Sequence, residues 1–324
     1  MKGVIRRVRP EWWSAIMEAA GVTFPPDNKH NVLGYGIGPR TTQGRRVGHN
    51  TLVLYVERKL REPPAPIEPV RFQFEGRTID VQPDIVSVGG HFTPSSNGGP
   101  PAYSGLHAGA AILAYGSRSF KGAVGCVVGT STAPTHLITA GHLFAQGEPQ
   151  TPILAAISSN DTPEVIGHLV VNLLDRPQNG TTIDAAAVEL NDAGRAMYRE
   201  SDIDGPDLRA ILPSTSGHGL QTIGFLPSHG GWTSYVYLLT TPKTVYAQPR
   251  ARPQQYKVSN AYLAAHAITV PGDSGGILCA AQNTNYAAGL VVGELGTRSV
   301  FEPLERAFKT LAAYLNPSWL LYRR

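Results

Sequence analysis

Pro271-Gly272-Asp273-Ser274-Gly275-Gly276 sets one serine among residues with little or no side chain. A nucleophilic serine needs a base for its proton, a fixed hydroxyl direction, and nearby backbone N–H groups for the negative charge that forms on the attacked oxygen. Small neighbours let the chain turn tightly and approach a substrate closely, so that the N–H groups of Gly272 and Ser274 can converge on one point. An isolated glycine-rich turn carrying an aspartate and a serine would read the same way, so the partners decide the matter.

The segment also fits the loose Gly-x-Ser-x-Gly elbow of α/β-hydrolases, in which an acid and then a histidine follow the serine. Neither His nor Asp follows Ser274, which excludes that order. The base and acid must lie upstream. His136-Leu137-Ile138-Thr139-Ala140-Gly141-His142 ends an apolar strand pattern with small residues, placing the His142 ring at a strand end, whereas His136 reads as an ordinary partly exposed residue. Asp184 in Ile183-Asp184-Ala185-Ala186-Ala187-Val188 opens another apolar strand, where a carboxylate is costly to bury unless paired. An imidazole N–H is such a partner, and the carboxylate in turn fixes the tautomer.

Thr139-Ala140-Gly141-His142, Asp184 before its small, apolar strand, and Gly272–Gly276, in the order His, Asp, Ser, resemble the trypsin-like (chymotrypsin-fold) serine peptidases, here of a bacterial type with an N-terminal extension. The resemblance covers roughly residues 103–315. It implies a mainly β fold of two six-stranded antiparallel barrels, about 105–195 and 205–300, with the site in the cleft and a C-terminal helix. It implies His142, Asp184 and Ser274 as catalytic residues and the Gly272 and Ser274 amides as an oxyanion hole. Gly289-Leu290-Val291-Val292-Gly293 would be the edge on which an extended substrate pairs. Ile268, Thr269 and Val270 would line the specificity pocket, and with no acid among them a small or apolar preference is expected, unless Glu294 on the other wall supplies a charge. Asp273, beside the nucleophile, needs a partner. No Ile-Val-Gly-Gly segment offers a new N-terminus for it, which leaves an arginine or an activating event, with Arg118 and Lys121 as candidate cleavage points.

Working outward, short apolar runs separated by turns, with 35 Gly and 26 Pro in 324 residues, predict many short strands. They fall at 110–115, 122–129, 136–139, 165–172, 185–190, 220–225, 235–240, 276–280 and 288–292. Pro303, Leu304, Ala307, Phe308, Leu311 and Leu315 predict a closing helix. Residues 1–88 read as a β-rich module with a short leading helix whose Trp12, Trp13, Ile16 and Met17 dock on the protein's own body. Gly34, Gly36 and Gly38 belong to a strand rather than a dinucleotide loop, because Pro39 follows. Residues 89–104 read as a linker, 105–316 as the peptidase domain and 317–324 as a tail.

A hydrophobic share of 42% and a charged share of 16% exclude a disordered chain, and a net charge of +4 with scattered Lys and Arg gives no nucleic-acid signature. Two distant cysteines, Cys126 and Cys279, exclude a zinc ribbon and read as buried free thiols. No apolar run has the length of a bilayer span, and none follows the basic N-terminus as a leader would, so a cytoplasmic protein with no membrane partner is expected. The chemistry requires no cofactor and no metal. The expected activity is serine endopeptidase action on a protein or peptide substrate, regulated through an N-terminal module that restrains the enzyme or recruits a partner. The alternatives are a silent binding protein on the same scaffold, or an esterase using the same triad.

Overall fold

The structure is a computed structural model that describes residues 5–25, 31–42, 45–57, 67–90, 92–94, 105–115, 119–144, 150–156, 161–177, 182–200, 205–214, 219–241, 243–247 and 256–322. Arg118 and most of the expected linker, 95–104, lie outside the described residues.

The chain is mainly β, with two large sheets that meet at the site. The first is a half-barrel of eight strands in the order Leu320–Leu321, Cys126–Gly129, Pro134–Thr139, Ala186–Leu190, Glu164–Asn172, Pro152–Ala155, Ala111–Tyr115 and Ser119–Ala123. The second closes on itself. Ile277–Ala280, Leu220–Leu226, Val236–Leu239, Tyr262–Ala264, Arg298–Pro303 and Asn283–Leu295 pair in turn, and the last pairs back with the first. Antiparallel pairing runs around the ring, and closure removes the open edge that a flat sheet would present. This is the chymotrypsin-type architecture, with the expected helix, Leu304–Leu315, placed after the ring.

Burial explains the elements. Cys126–Gly129 and Ile277–Ala280 are buried at every position, as expected for strands covered on both faces. One core fills the half-barrel around Leu106, Ile112, Leu137, Phe144 and Val188. Another fills the seam between the two sheets and takes in Cys126, Cys279, Leu290 and the Leu304, Ala307 and Leu311 stripe of the C-terminal helix. Each fully buried aliphatic side chain there contributes about 1.5–3 kcal/mol. Both cysteines are free and buried.

The N-terminal residues do not stand apart. Val32–Thr42, Arg45–Val56 and Asp84–Ser87 form a five-stranded sheet with Lys243–Ala247 and Tyr256–Ser259, a hairpin that leaves the second barrel. The leading helix, Trp13–Thr23, packs on this sheet, as expected, but through Ile16 and Ala20 with Trp12 before it, while Trp13 and Met17 flank the contact. Within the span read as a linker, Phe92–Pro94 is a strand. It pairs antiparallel with the end of Asn283–Leu295, Pro94 opposite Gly293 and Phe92 opposite Leu295. Among the described residues no helix is long and apolar enough to cross a membrane.

Candidate active site

The half-barrel strand Pro134–Thr139 runs straight into one turn of 3-10 helix, Gly141–Leu143, and this turn presents His142. Its geometry is held by Asn172, whose side-chain amide donates to the Gly141 carbonyl at 2.9 Å and whose oxygen accepts from the Leu174 amide at 3.1 Å. Asp184 sits two residues before the strand Ala186–Leu190, which pairs with Pro134–Thr139, so the acid and the base share one corner of the sheet.

The Asp184 carboxylate takes three hydrogen bonds. Oδ1 accepts from the His142 backbone amide at 2.9 Å, and Oδ2 accepts from His142 Nδ1 at 2.8 Å and from the Tyr256 hydroxyl at 2.6 Å. With the Nδ1 proton committed to the carboxylate, Nε2 of the neutral ring is the acceptor, and the Ser274 hydroxyl lies 2.7 Å from it. Burial pushes the Asp184 carboxyl up, but the charge of His142, the side-chain bonds from His142 and Tyr256, and the His142 amide together hold it below the usual carboxylate range. His142, Asp184 and Ser274 have no solvent exposure.

The loop that carries Ser274 is shaped by its glycines. Gly272 has φ of +107° and Gly275 of +87°, both in the region that favours glycine. A Cβ on Gly275 would stand 2.2 Å from Thr139 Oγ1 and 2.4 Å from the Ala123 carbonyl, so only glycine lets the loop lie this close to the first sheet. Ala123 N–H donates to the Ser274 carbonyl at 2.7 Å, tying the loop to the half-barrel. The amides of Asp273, Gly275 and Gly276 are spent inside the fold, on Val270, Val291 and Asp273 carbonyls.

Among the described residues, Asp273 finds its partners in Ser228 and Val270. Oδ1 accepts from the Ser228 amide at 3.0 Å, and Oδ2 accepts from the Ser228 hydroxyl at 2.5 Å and the Val270 amide at 2.9 Å. Among the described residues Ser228 and Val270, and not an arginine, bond Asp273 in this conformation.

The expected pocket residues are tied to the second barrel. The Ile268 and Thr269 amides donate to Ser299 Oγ at 2.9 and 3.2 Å, and Thr269 Oγ1 donates to Glu294 Oε1 at 3.3 Å. Val270 stands half exposed at 46% while Thr269 is buried. Burial raises Glu294, with the neighbouring charge of Asp273 adding to it and the Thr269 bond opposing. Leu290, Val291 and Val292 are fully buried, and the Val291 amide donates to the Gly276 carbonyl at 2.8 Å. Gly293 pairs with Val300 on one side and with Pro94 on the other.

Four residues about the triad and its loop carried no signal in the sequence. Tyr256, Ser228 and Ser299 lie in unremarkable stretches, and Glu302 reads as an acidic residue before the last helix. Glu302 is fully buried, its Oε2 accepts from the Asp184 amide at 3.3 Å, and its Oε1 is gripped by Arg306 Nε and Nη2 at 2.8 and 2.6 Å. Among the described residues no group of three or more His, Cys, Asp or Glu is placed to hold a metal ion.

No protein-family model and no curated protein matches this chain. Among solved structures, the chain is similar to a glutamic-acid-specific serine protease described as using a histidine triad in substrate binding, at 18% identity, over 67% of this chain and 100% of that one, with a TM-score of 0.43. It is also similar to the Rv3671c protease in an inactive form, at 15% identity, over 63% and 86%, with a TM-score of 0.33. A third is an inactivated protease paralogue of the scabies mite, at 14% identity, over 63% and 92%, with a TM-score of 0.38.

Proposed function

We propose that this chain is a serine endopeptidase that cleaves peptide bonds through an acyl-enzyme. The observation that carries the reading is the unbroken buried chain of hydrogen bonds from Asp184 through His142 to Ser274. His142 Nε2 takes the Ser274 proton as Oγ attacks the substrate carbonyl. Asp184 stabilises the imidazolium that forms, the leaving amine takes the proton, and water then releases the acyl group by the same route. The Gly272 and Ser274 amides are the donors we assign to the oxyanion, because the other amides of the loop are already engaged. Ile268, Thr269, Val270 and Glu294 would shape the primary specificity pocket, and the small or apolar preference stays attached to the first three.

The test is a fluorophosphonate probe on full-length protein beside Ser274→Ala. Labelling of the wild type alone is expected, and equal labelling of both would sink the mechanism. Parallel ester and amide substrates separate a peptidase from an esterase, and a folded wild type that never labels points to a silent scaffold.

One observation favours a restrained enzyme. Along a single edge of Asn283–Leu295 the partners run in order: Ile277 opposite Leu290, then the Gly275–Gly276 turn against Val291, then Pro94 opposite Gly293. Phe92–Pro94 thus lies on the edge expected for substrate and heads toward Ser274, while Ser274 and His142 are closed to solvent. We read this strand as the means by which the N-terminal part holds the enzyme back until a partner or substrate displaces it. Two buried free thiols suit a reducing compartment, and we place the protein in the cytoplasm on that ground.

A further inference from the structure

We infer that Tyr256 is a positioning residue of the triad, orienting the acid through its hydroxyl; this rests on reading His142, Asp184 and Ser274 as catalytic. Asp184 is fully buried, and a carboxylate out of water needs its lone pairs filled by donors. Two of its three bonds come from His142, and the third comes from Tyr256, at 2.6 Å to the same Oδ2 that receives the Nδ1 proton. That oxygen is shared, so the phenol and the imidazole pull on one electron pair reservoir. Removing the phenol leaves more negative charge facing the ring and frees the carboxylate to turn about its χ2.

Among the described residues three titratable groups, with one arginine behind them, meet Asp184. His142 faces Asp184 from the turn after Pro134–Thr139, and Tyr256 faces it from Tyr256–Ser259. Glu302, from Arg298–Pro303, meets the Asp184 amide and is itself held by Arg306 of the last helix. Among the described residues His142 is the one basic side chain that bonds the Asp184 carboxylate, and the phenol is the neutral donor that tempers its charge.

The origin of Tyr256 makes the arrangement more than a local detail. Its strand is the edge of the five-stranded sheet, reached through Lys243–Ala247 from Val32–Thr42. The hydroxyl that completes the acid's bonding is therefore delivered by the sheet that the N-terminal strands build, and not by the half-barrel that carries Asp184 and His142.

The experiment uses full-length Tyr256→Phe, which keeps the ring and removes only the hydroxyl. The first readout is the fluorophosphonate labelling rate as a function of pH. Because a more negative carboxylate favours the protonated imidazole, the acid limb should move up by roughly half a unit to one unit. The plateau should fall by about three- to tenfold as the acid loses its orientation. The second readout needs no turnover: the far-downfield proton resonance of the His142–Asp184 hydrogen bond should shift in Tyr256→Phe. Val258→Ala, which loosens the same strand at a buried position but keeps the phenol, should leave both the limb and the resonance in place. Superimposable profiles and an unmoved resonance in Tyr256→Phe would overturn the assignment, as would an equal shift in Val258→Ala. Failure of the catalytic reading shows separately, as labelling of Ser274→Ala.

Discussion

Around Asp184 two carboxylates sit back to back and are treated oppositely. Asp184 is held below the usual range by its donors, whereas burial pushes Glu302 up to about 7 against the partial opposition of Arg306. Since the folded carboxyl of Glu302 binds its proton more tightly than the unfolded value of 4.5, folding takes up a proton between pH about 4.5 and about 7. The stability linked to Glu302 is thus fully present below about 4.5 and is lost as pH rises through about 7, by about 3 kcal/mol in all. Urea midpoints measured across that window should fall with pH in the wild type, and Glu302→Gln should flatten the profile. An unchanged slope in the variant would show that Glu302 does not carry the effect. That His142, Asp184 and Ser274 belong together was legible, because each sits among small residues that a packed core alone does not require: Thr139-Ala140-Gly141 before His142, the alanines after Asp184, and the glycines about Ser274. Tyr256, Glu302 and Ser228 were not, because each acts through hydrogen bonds to a residue far away in sequence and is flanked by nothing unusual.

At the scale of elements, the strands with continuous apolar runs were readable, and Gly122–Gly129 shows the limit. It reads as one strand but forms the end of Ser119–Ala123 and then Cys126–Gly129, with a break at Val124-Gly125 whose amides bond to Ala110 and Ile138 carbonyls. The helix Asp192–Glu200 was not anticipated, since Met197 and Tyr198 are its only large apolar residues. Phe92–Pro94 was hidden for a different reason: three residues in a glycine- and proline-rich stretch become a strand only because a partner edge is waiting. That pairing can be loosened without touching His142, Asp184 or Ser274. Thr93→Pro removes an N–H from the short strand and fixes φ. If the strand restrains the enzyme, this variant should label with the fluorophosphonate several-fold faster than wild type, whereas equal rates would assign Phe92–Pro94 a purely structural role.

Across the whole molecule, the N-terminal strands and the second barrel share backbone hydrogen bonds, not merely a surface. Gly34 lies opposite Val245, Thr241 Oγ1 donates to the Ile37 carbonyl at 2.6 Å, and Tyr246 hydroxyl bonds to the Phe24 carbonyl at 2.5 Å. Lys243 is fully buried at this junction, its ammonium nitrogen bonded to the Leu239 and Thr241 carbonyls, and burial together with the charge of Arg298 pushes it well below its ordinary value. Such a seam should not come apart before the rest. Calorimetry of the full chain should give one cooperative transition, with calorimetric and van't Hoff enthalpies in agreement. Two resolved transitions would mean that residues 1–88 fold as an independent module.

The sequence by itself determined the class of fold, most strand positions, the closing helix and the three residues, His142, Asp184 and Ser274, that the structure joins by hydrogen bonds. These depend on local requirements: apolar runs that must be buried, and small residues where backbone must approach backbone. Only the tertiary structure decided what surrounds them. That Tyr256 reaches Asp184, that Ser228 satisfies Asp273, that Glu302 backs the acid, and that Phe92–Pro94 takes the edge beside Ser274 all follow from how strands far apart in sequence come together. A hydrogen bond across such a junction is set by the closure of the whole chain, and it leaves no periodicity or composition by which the sequence alone could announce it.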